Sequence, residues 1–390
     1  MVSGPPPVPW HHDPKFRALF HQVVLVALLL WLGYQFALNA RANLAAQGIT
    51  SGFGFLDNTA GFGVNQSLIP YSESDTYGRV FFVGLLNTLL VAALGIALAT
   101  LLGFVIGIAR LSPNWLFARL AGGYVELVRN LPLLFQILFW YLAVLGTLPG
   151  PRQSISIWGA IFLNNRGLIV PAPVVKTGAG YVLAALVVGA LAAVALGWRS
   201  KRRQERSGQQ LPVLWSGLAL IIGLPLIAAW AAGWPIGFAR PELRGFNFVG
   251  GIRLIPELVA LLLALSLYTA AFIAEIVRAG IAAIPRGQME AALALGLPRS
   301  LTLRLVVVPQ ALRVIVPPLT NQYLNLTKNS SLAIAIGYPD LFAVFAGTTL
   351  NQTGQAIEII GITMAVYLSM SLLTSVLMNW YNAHIAVAER

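Results

Sequence analysis

The polar side chains of this 390-residue chain that could do chemistry fall into two groups. One is Glu290-Ala291-Ala292, followed by Gly296 and by Val306, Val308 and Pro309, in a stretch carrying Arg278, Arg286, Arg299, Arg304 and Arg313. The other is scattered through apolar runs: Asn87, Gln136, Glu275, Asn321, Gln322, Asn325, Lys328, Asn329, Ser330 and Ser331. Neither group contains paired carboxylates or a nucleophile with a base, so neither reads as catalytic. There is no cysteine, which excludes disulfides, thiolate metal sites and cysteine nucleophiles. The histidines, His11, His12, His21 and His384, match no ligand spacing, so no metal site is expected. No GxxxxGK[ST] occurs, nor any Gly-Lys pair, so the chain has no phosphate-cradling loop of its own. GFGFLDNTAGFGV has no GxGxxG fit. The expectation is a chain that is not an enzyme and binds no cofactor itself.

The elements that carry these residues are set by composition. Hydrophobic residues make up 57% and charged residues only 10%, with mean hydropathy +0.76. A soluble domain carries about 25% charged residues, so the chain is an integral membrane protein. The formal charge of +12 falls in short loops between apolar runs. That points to membrane orientation rather than nucleic acid.

In order, residues 1–17 read as a polar cytoplasmic tail. Residues 18–80 hold a first span, about Ala18 to Ala40, and an external loop. That run is long enough to cross a bilayer. A cleaved signal peptide ending near Ala40-Arg41-Ala42 is the competing reading, and the long polar lead favours a retained anchor. Residues 81–148 carry spans at about Phe81–Ile108 and Tyr124–Leu148. Residues 149–254 form an insertion with spans at about Gly180–Trp198 and Leu211–Trp234, joined by RSKRRQERSGQQ. Residues 255–390 carry a sixth span to about Ile281, a seventh broken at Pro317-Pro318, and an eighth at about Ile357–Tyr381. On this frame sixteen Lys and Arg lie inside, eight outside, and Lys328 within a span. The bias places both termini, and the 286–309 loop, in the cytoplasm. Within that loop Met289 to Leu295 favour a short helix, Glu290 suits its first turn, and Gly296 with Pro298 ends it.

This loop resembles the EAA loop of permease subunits of ATP-binding cassette importers, with Val308-Pro309 where the family has Leu-Pro. LLNTLLVAALGIALATLLGFVIGIARLS, with Glu126, Arg129, Pro132, Leu133, Leu134 and Gln136, is similar to the opening of polar amino-acid importer permeases. AAFIAEIVRAGIAAIPRGQMEAALALG and NLTKNSSLAIAIGYPDL match the same family. The likeness covers about residues 81–148 and 255–382. The first span and the two-span insertion resemble the longer permeases of general L-amino-acid importers.

The resemblance implies an all-α polytopic fold of about eight transmembrane helices: a five-span type I core, one N-terminal helix and two inserted ones. It implies a multi-pass subunit of a bacterial inner membrane. Its expected partners are a second, related permease in a heterodimer, an ATPase dimer that holds ATP and Mg, a periplasmic amino-acid binding protein, and lipid. Arg286, Glu290, Ala291, Ala292, Gly296 and Arg299 would then form the contact through which the ATPase drives alternating access. Polar residues within spans belong in a protein interior or a watery path. Asn87, Gln136, Asn325, Lys328, Asn329, Ser330 and Ser331 are the expected path residues, with pairing between helices as the competing role. An ion- or proton-coupled transporter acting alone is the alternative, and only Glu275 could be its mid-span carboxylate.

Overall fold

The computed structural model describes residues 14–46, 52–208 and 212–385. The apolar runs are helices, because only a helix closes its own backbone hydrogen bonds where no water is available. Among the described residues, six helical segments are long and apolar enough to cross a membrane: Phe16–Ala40, Tyr77–Ala109, Ala179–Gln204, Pro256–Ala282, Arg299–Ile336 and Ala356–Ala383. The first lies in α1 (Pro14–Ala46) and the second is α2 (Tyr77–Ala109).

The third expected span is not one straight helix. It is α3 (Trp115–Asn130) followed by α4 (Leu133–Leu138), which runs on as π-helical turns to Leu145, the pair bent by 108°. Leu131 is extended, with φ −98° and ψ 133°, and it precedes Pro132, whose ring disfavours a helical residue before it.

The segment that follows holds four short strands, β1 (Ile155–Ile157), β2 (Ile161–Asn164), β3 (Gly167–Val170) and β4 (Ala172–Val175). Then come α5 (Ala179–Ser207) and α6 (Val213–Ala231), which pack on each other as a hairpin. After them lie β5 (Ile236–Ala239), β6 (Glu242–Arg244), β7 (Asn247–Val249) and β8 (Ile252–Leu254). The order in the larger sheet is β1-β2-β3-β8, all antiparallel, with Ile169 opposite Arg253. β4 pairs with β5, and β6 with β7. These strands occupy segments that read from sequence only as loops. They form because a helical hairpin returns the chain to the side it left, so the two flanking loops meet.

At about 1.5 Å per residue α6 is about 28 Å long, close to a hydrocarbon core of about 30 Å. Tyr181 and Trp198 on α5, and Trp215 and Trp230 on α6, are exposed near the helix ends, as interfacial aromatics are. With α6 and the bent pair each crossing once, the fold is consistent with about eight spans.

The remaining elements are α7 (Pro256–Ala282), α8 (Arg286–Ala294), α9 (Arg299–Thr302), α10 (Val308–Asn329), α11 (Leu350–Thr353) and α12 (Ala356–Ile385). The expected break at Pro317-Pro318 is absent: both prolines lie inside α10. The departures from α geometry come instead at π-helical Leu303–Val307 and at 3₁₀-helical Ser330–Ile336.

The chain divides into two compact units. One comprises the described residues up to Ala92, Tyr323–Ile334 and Pro339 onward; the other comprises Ala93–Gln322 and Ala335–Tyr338. In the first, the segment before α2 is folded rather than loose. Phe55 is buried with Tyr77, Val80, Leu341, Val344, Phe345 and Ile359, its ring 6.2 Å from that of Phe345. Burying one such ring stabilises by about 1.5–3 kcal/mol. The second unit is organised on α7, whose Leu258, Leu261, Leu265 and Ile273 are wholly buried. α2 meets it through Gly103 and Gly107. A Cβ at Gly103 would stand 2.5 Å from Ile273 Cγ2, and one at Gly107 2.8 Å from the Ala274 carbonyl oxygen. This four-residue spacing of glycines is the close-packing device of membrane helices.

Candidate functional site

The loop after α7 is built as a short, firmly ended helix. α8 runs Arg286–Ala294, starting three residues earlier than sequence propensity places it. It closes in a two-bond C-terminal cap: Leu297 N–H donates to Ala292 O at 3.2 Å and Gly296 N–H to Leu293 O at 2.9 Å. Gly296 has φ +80°, the left-handed conformation this cap needs and which costs about 1–2 kcal/mol for residues with a Cβ.

At about 100° per residue the Glu-Ala-Ala triplet is split between two faces. Glu290 and Ala291 are exposed, with Arg286 and Arg299. Ala292 is buried within the chain, where α8 packs on Leu303–Val307. Ala292 therefore seats the helix, and a partner would meet its neighbours. Two further residues complete the outer surface, Leu293 at 45% and Leu295 at 82% exposure. Sequence reasoning passed over them because Leu in an apolar chain carries no signal until its surroundings are known.

The second group lies at the end of α10. Asn325 and Lys328 are exposed, on one helical face, while Thr327 and Ser330 are buried. Ser330 donates to Thr327 O at 2.8 Å, and Ser331 to Lys328 O at 2.8 Å. These hydroxyls occupy carbonyls near the change from α to 3₁₀ geometry, so here they hold the backbone. Asn329 is half-buried. Beyond this turn, between the spans, Asp340 is wholly buried. Its carboxylate accepts from Ala343 N–H at 2.8 Å and from the Tyr367 hydroxyl at 3.3 Å. Burial pushes its pKa up to about 7.

Of the remaining expected path residues, Asn87 meets the chain next to Asp340. Asn87 is fully buried, its amide donating to Gln66 O at 2.9 Å and Pro339 O at 2.8 Å. Gln136 donates to Val128 O at 2.9 Å and Leu131 O at 3.0 Å, satisfying carbonyls at the open end of α3. Glu275 is held by Arg278 at 2.5 Å and by a short contact to Arg110. Two guanidinium groups thus share one carboxylate through charge-assisted hydrogen bonds.

The sequence pattern of the family described as "Binding-protein-dependent transport system inner membrane component" matches residues 185–387. The chain belongs to this family. The match takes in α8, the end of α10 and α12, so the short capped helix and the polar turn both lie within the part that defines the inner-membrane component. It is 57% identical to "Putative amino-acid ABC transporter permease protein YhdX" of Escherichia coli K12, over 97% of this chain and 96% of that one. It is 53% identical to "General L-amino acid transport system permease protein AapQ" of Rhizobium johnstonii, over 97% and 94%. With "Glutamate/glutamine/aspartate/asparagine transport system permease protein BztB" of Rhodobacter capsulatus it shares 44% identity over the full length of both. A chain from "Crystal structure of an amino acid ABC transporter with histidines" superposes with TM-score 0.46 at 22% identity, over 79% of this chain and 95% of that one. As an inner-membrane component, the chain is a multi-pass membrane protein.

Proposed function

We propose that this chain is the permease subunit of an ATP-driven amino-acid importer and contributes to its translocation path. The observation that carries the coupling role is α8: a nine-residue helix, rigidly capped, seated on the chain by Ala292, with Glu290, Leu293 and Leu295 turned outward. An ATPase dimer binding ATP and Mg would grip that surface, and Arg286 and Arg299 would pair with acidic groups at its rim. The arginine distribution supports a cytoplasmic position for this loop and for both termini.

The core then comprises residues 81–148 and 255–390, with 1–17 as tail, 18–80 as anchor and loop, and 149–254 as insertion. A second, related permease completes the membrane pair, and a periplasmic binding protein delivers the solute. The relatives' names support amino acids as the substrate class. Lys328 and Asn325 are the path residues with most support. A Lys exposed on a spanning helix is costly against lipid, so its face belongs to water or to the partner permease. Lys328 suits a substrate carboxylate. Asn87, Gln136, Ser330 and Ser331 would shape the path by holding backbone, with half-buried Asn329 beside the last two. The chain hydrolyses nothing itself. For the ion-coupled alternative, Glu275, the carboxylate that the sequence offered, is already paired with Arg110 and Arg278, which speaks against that role for it.

The test is reconstitution in liposomes with and without the ATPase, the second permease and the binding protein. ATP-dependent uptake of a labelled amino acid only in the full set is the expected result; uptake by the chain alone overturns the reading.

A further inference from the structure

Six of the eight Lys and Arg that the topology places outside belong to the strand-bearing segments around the α5–α6 hairpin: Arg152, Arg166, Lys176, Arg240, Arg244 and Arg253. All six are exposed. Residues 149–178 and 235–254 contain one acid against them, Glu242, and it is ion-paired to Arg244 at 3.2 Å. Cations outside oppose the charge bias that orients the chain, so some other interaction must account for them.

The arginines are also held in place. Arg152 lies over the Phe246 ring, 4.2 Å from its centre. Arg166 donates to the Asn247 side chain, and with Arg253 it lines a cleft of about 150 Å³ floored by Asn164 and Ile169. Guanidinium groups fixed before binding lose less freedom on meeting a carboxylate. At the other end of these strands, Trp158 in the β1–β2 turn is 91% exposed and has φ +53°. A bulky residue held in the left-handed region, with its ring in water, is strain without an internal contact to offset it. Exposed Trp and Arg are the residue types that most often anchor protein interfaces.

We propose that this basic sheet, with Trp158 at its tip, is a docking surface for an acidic face of the transport system's binding protein. The α5–α6 hairpin is the membrane base that carries it. The proposal rests on the functional reading above and extends it. The sheet, added to the five-span core, raises the encounter rate by charge and fixes orientation through Trp158.

The test uses the complete reconstituted transporter and titrates its ATPase activity with its purified binding protein. Combined Arg152→Glu, Arg166→Glu and Arg253→Glu should raise the half-saturating concentration about tenfold or more, with the rate at saturation unchanged. Added salt should weaken the wild type and spare the variant. Because the chain has no cysteine, Trp158→Cys can carry a photo-crosslinker uniquely, and labelling of the binding protein supports the proposal. An unchanged half-saturation, or labelling of lipid alone, overturns it while leaving the importer reading intact. If no binding protein stimulates the wild type, the importer reading itself falls, and the docking surface with it.

Discussion

Single residues carry charge states that the sequence could only hint at. Glu275 and its neighbour Arg278, three residues on, are legible as a pair in a span, but Arg110 is not, since it lies 165 positions away. Glu275→Gln should leave Arg110 and Arg278 without their counter-charge and cost about 1–3 kcal/mol. A lower melting temperature of the purified chain, with ATP-driven uptake retained, is the expected outcome; loss of uptake without loss of stability would make it a transport carboxylate. Asp340 gives a pH dependence of definite sign. Its folded pKa, about 7, lies above the ordinary value of about 3.9, so the native state holds the proton more tightly than the unfolded state. Native stability therefore falls as pH rises between those two values, and the loss is complete above the folded pKa. Asp340→Asn should flatten the melting temperature between about pH 4 and 7, as followed by tryptophan fluorescence in detergent.

Among the elements, α8 shows what local sequence can and cannot specify. Its end at Gly296 is legible, because only glycine accepts that backbone conformation without strain. Its outward face is not, because which of Ala291, Ala292, Leu293 and Leu295 is covered depends on Leu303–Val307. Leu295→Asp should lower ATP-driven uptake about tenfold or more if that surface meets the ATPase apolar-to-apolar. Glu290→Arg should act likewise, with membrane insertion unchanged by protease accessibility; normal uptake in both variants would remove α8 from the coupling role. The α2–α7 contact behaves differently. Gly107→Val places two methyl groups against Ala274 and Val277, and overpacking of this kind costs about 1–3 kcal/mol. Reduced yield of folded chain in gel filtration is the expected reading, without any specific effect on coupling.

For the whole molecule, membrane residence and the number of apolar runs follow from composition and order. These are properties of each segment's own transfer into lipid, so they need no knowledge of neighbours. Lys328→Ala tests the next level: uptake should lose its preference among acidic, neutral and basic amino acids, and an unchanged profile would return Lys328 to a structural role. The 108° elbow between α3 and α4, the uninterrupted passage of α10 through Pro317-Pro318 and the strands flanking the α5–α6 hairpin all required the tertiary structure. Each depends on groups distant in sequence or on a choice between states of similar energy. The hydrophobic effect is non-directional, so apolar runs declare that they will be buried in lipid or protein but not against what. The partners of buried polar groups, and the faces left uncovered, are settled only when the helices meet.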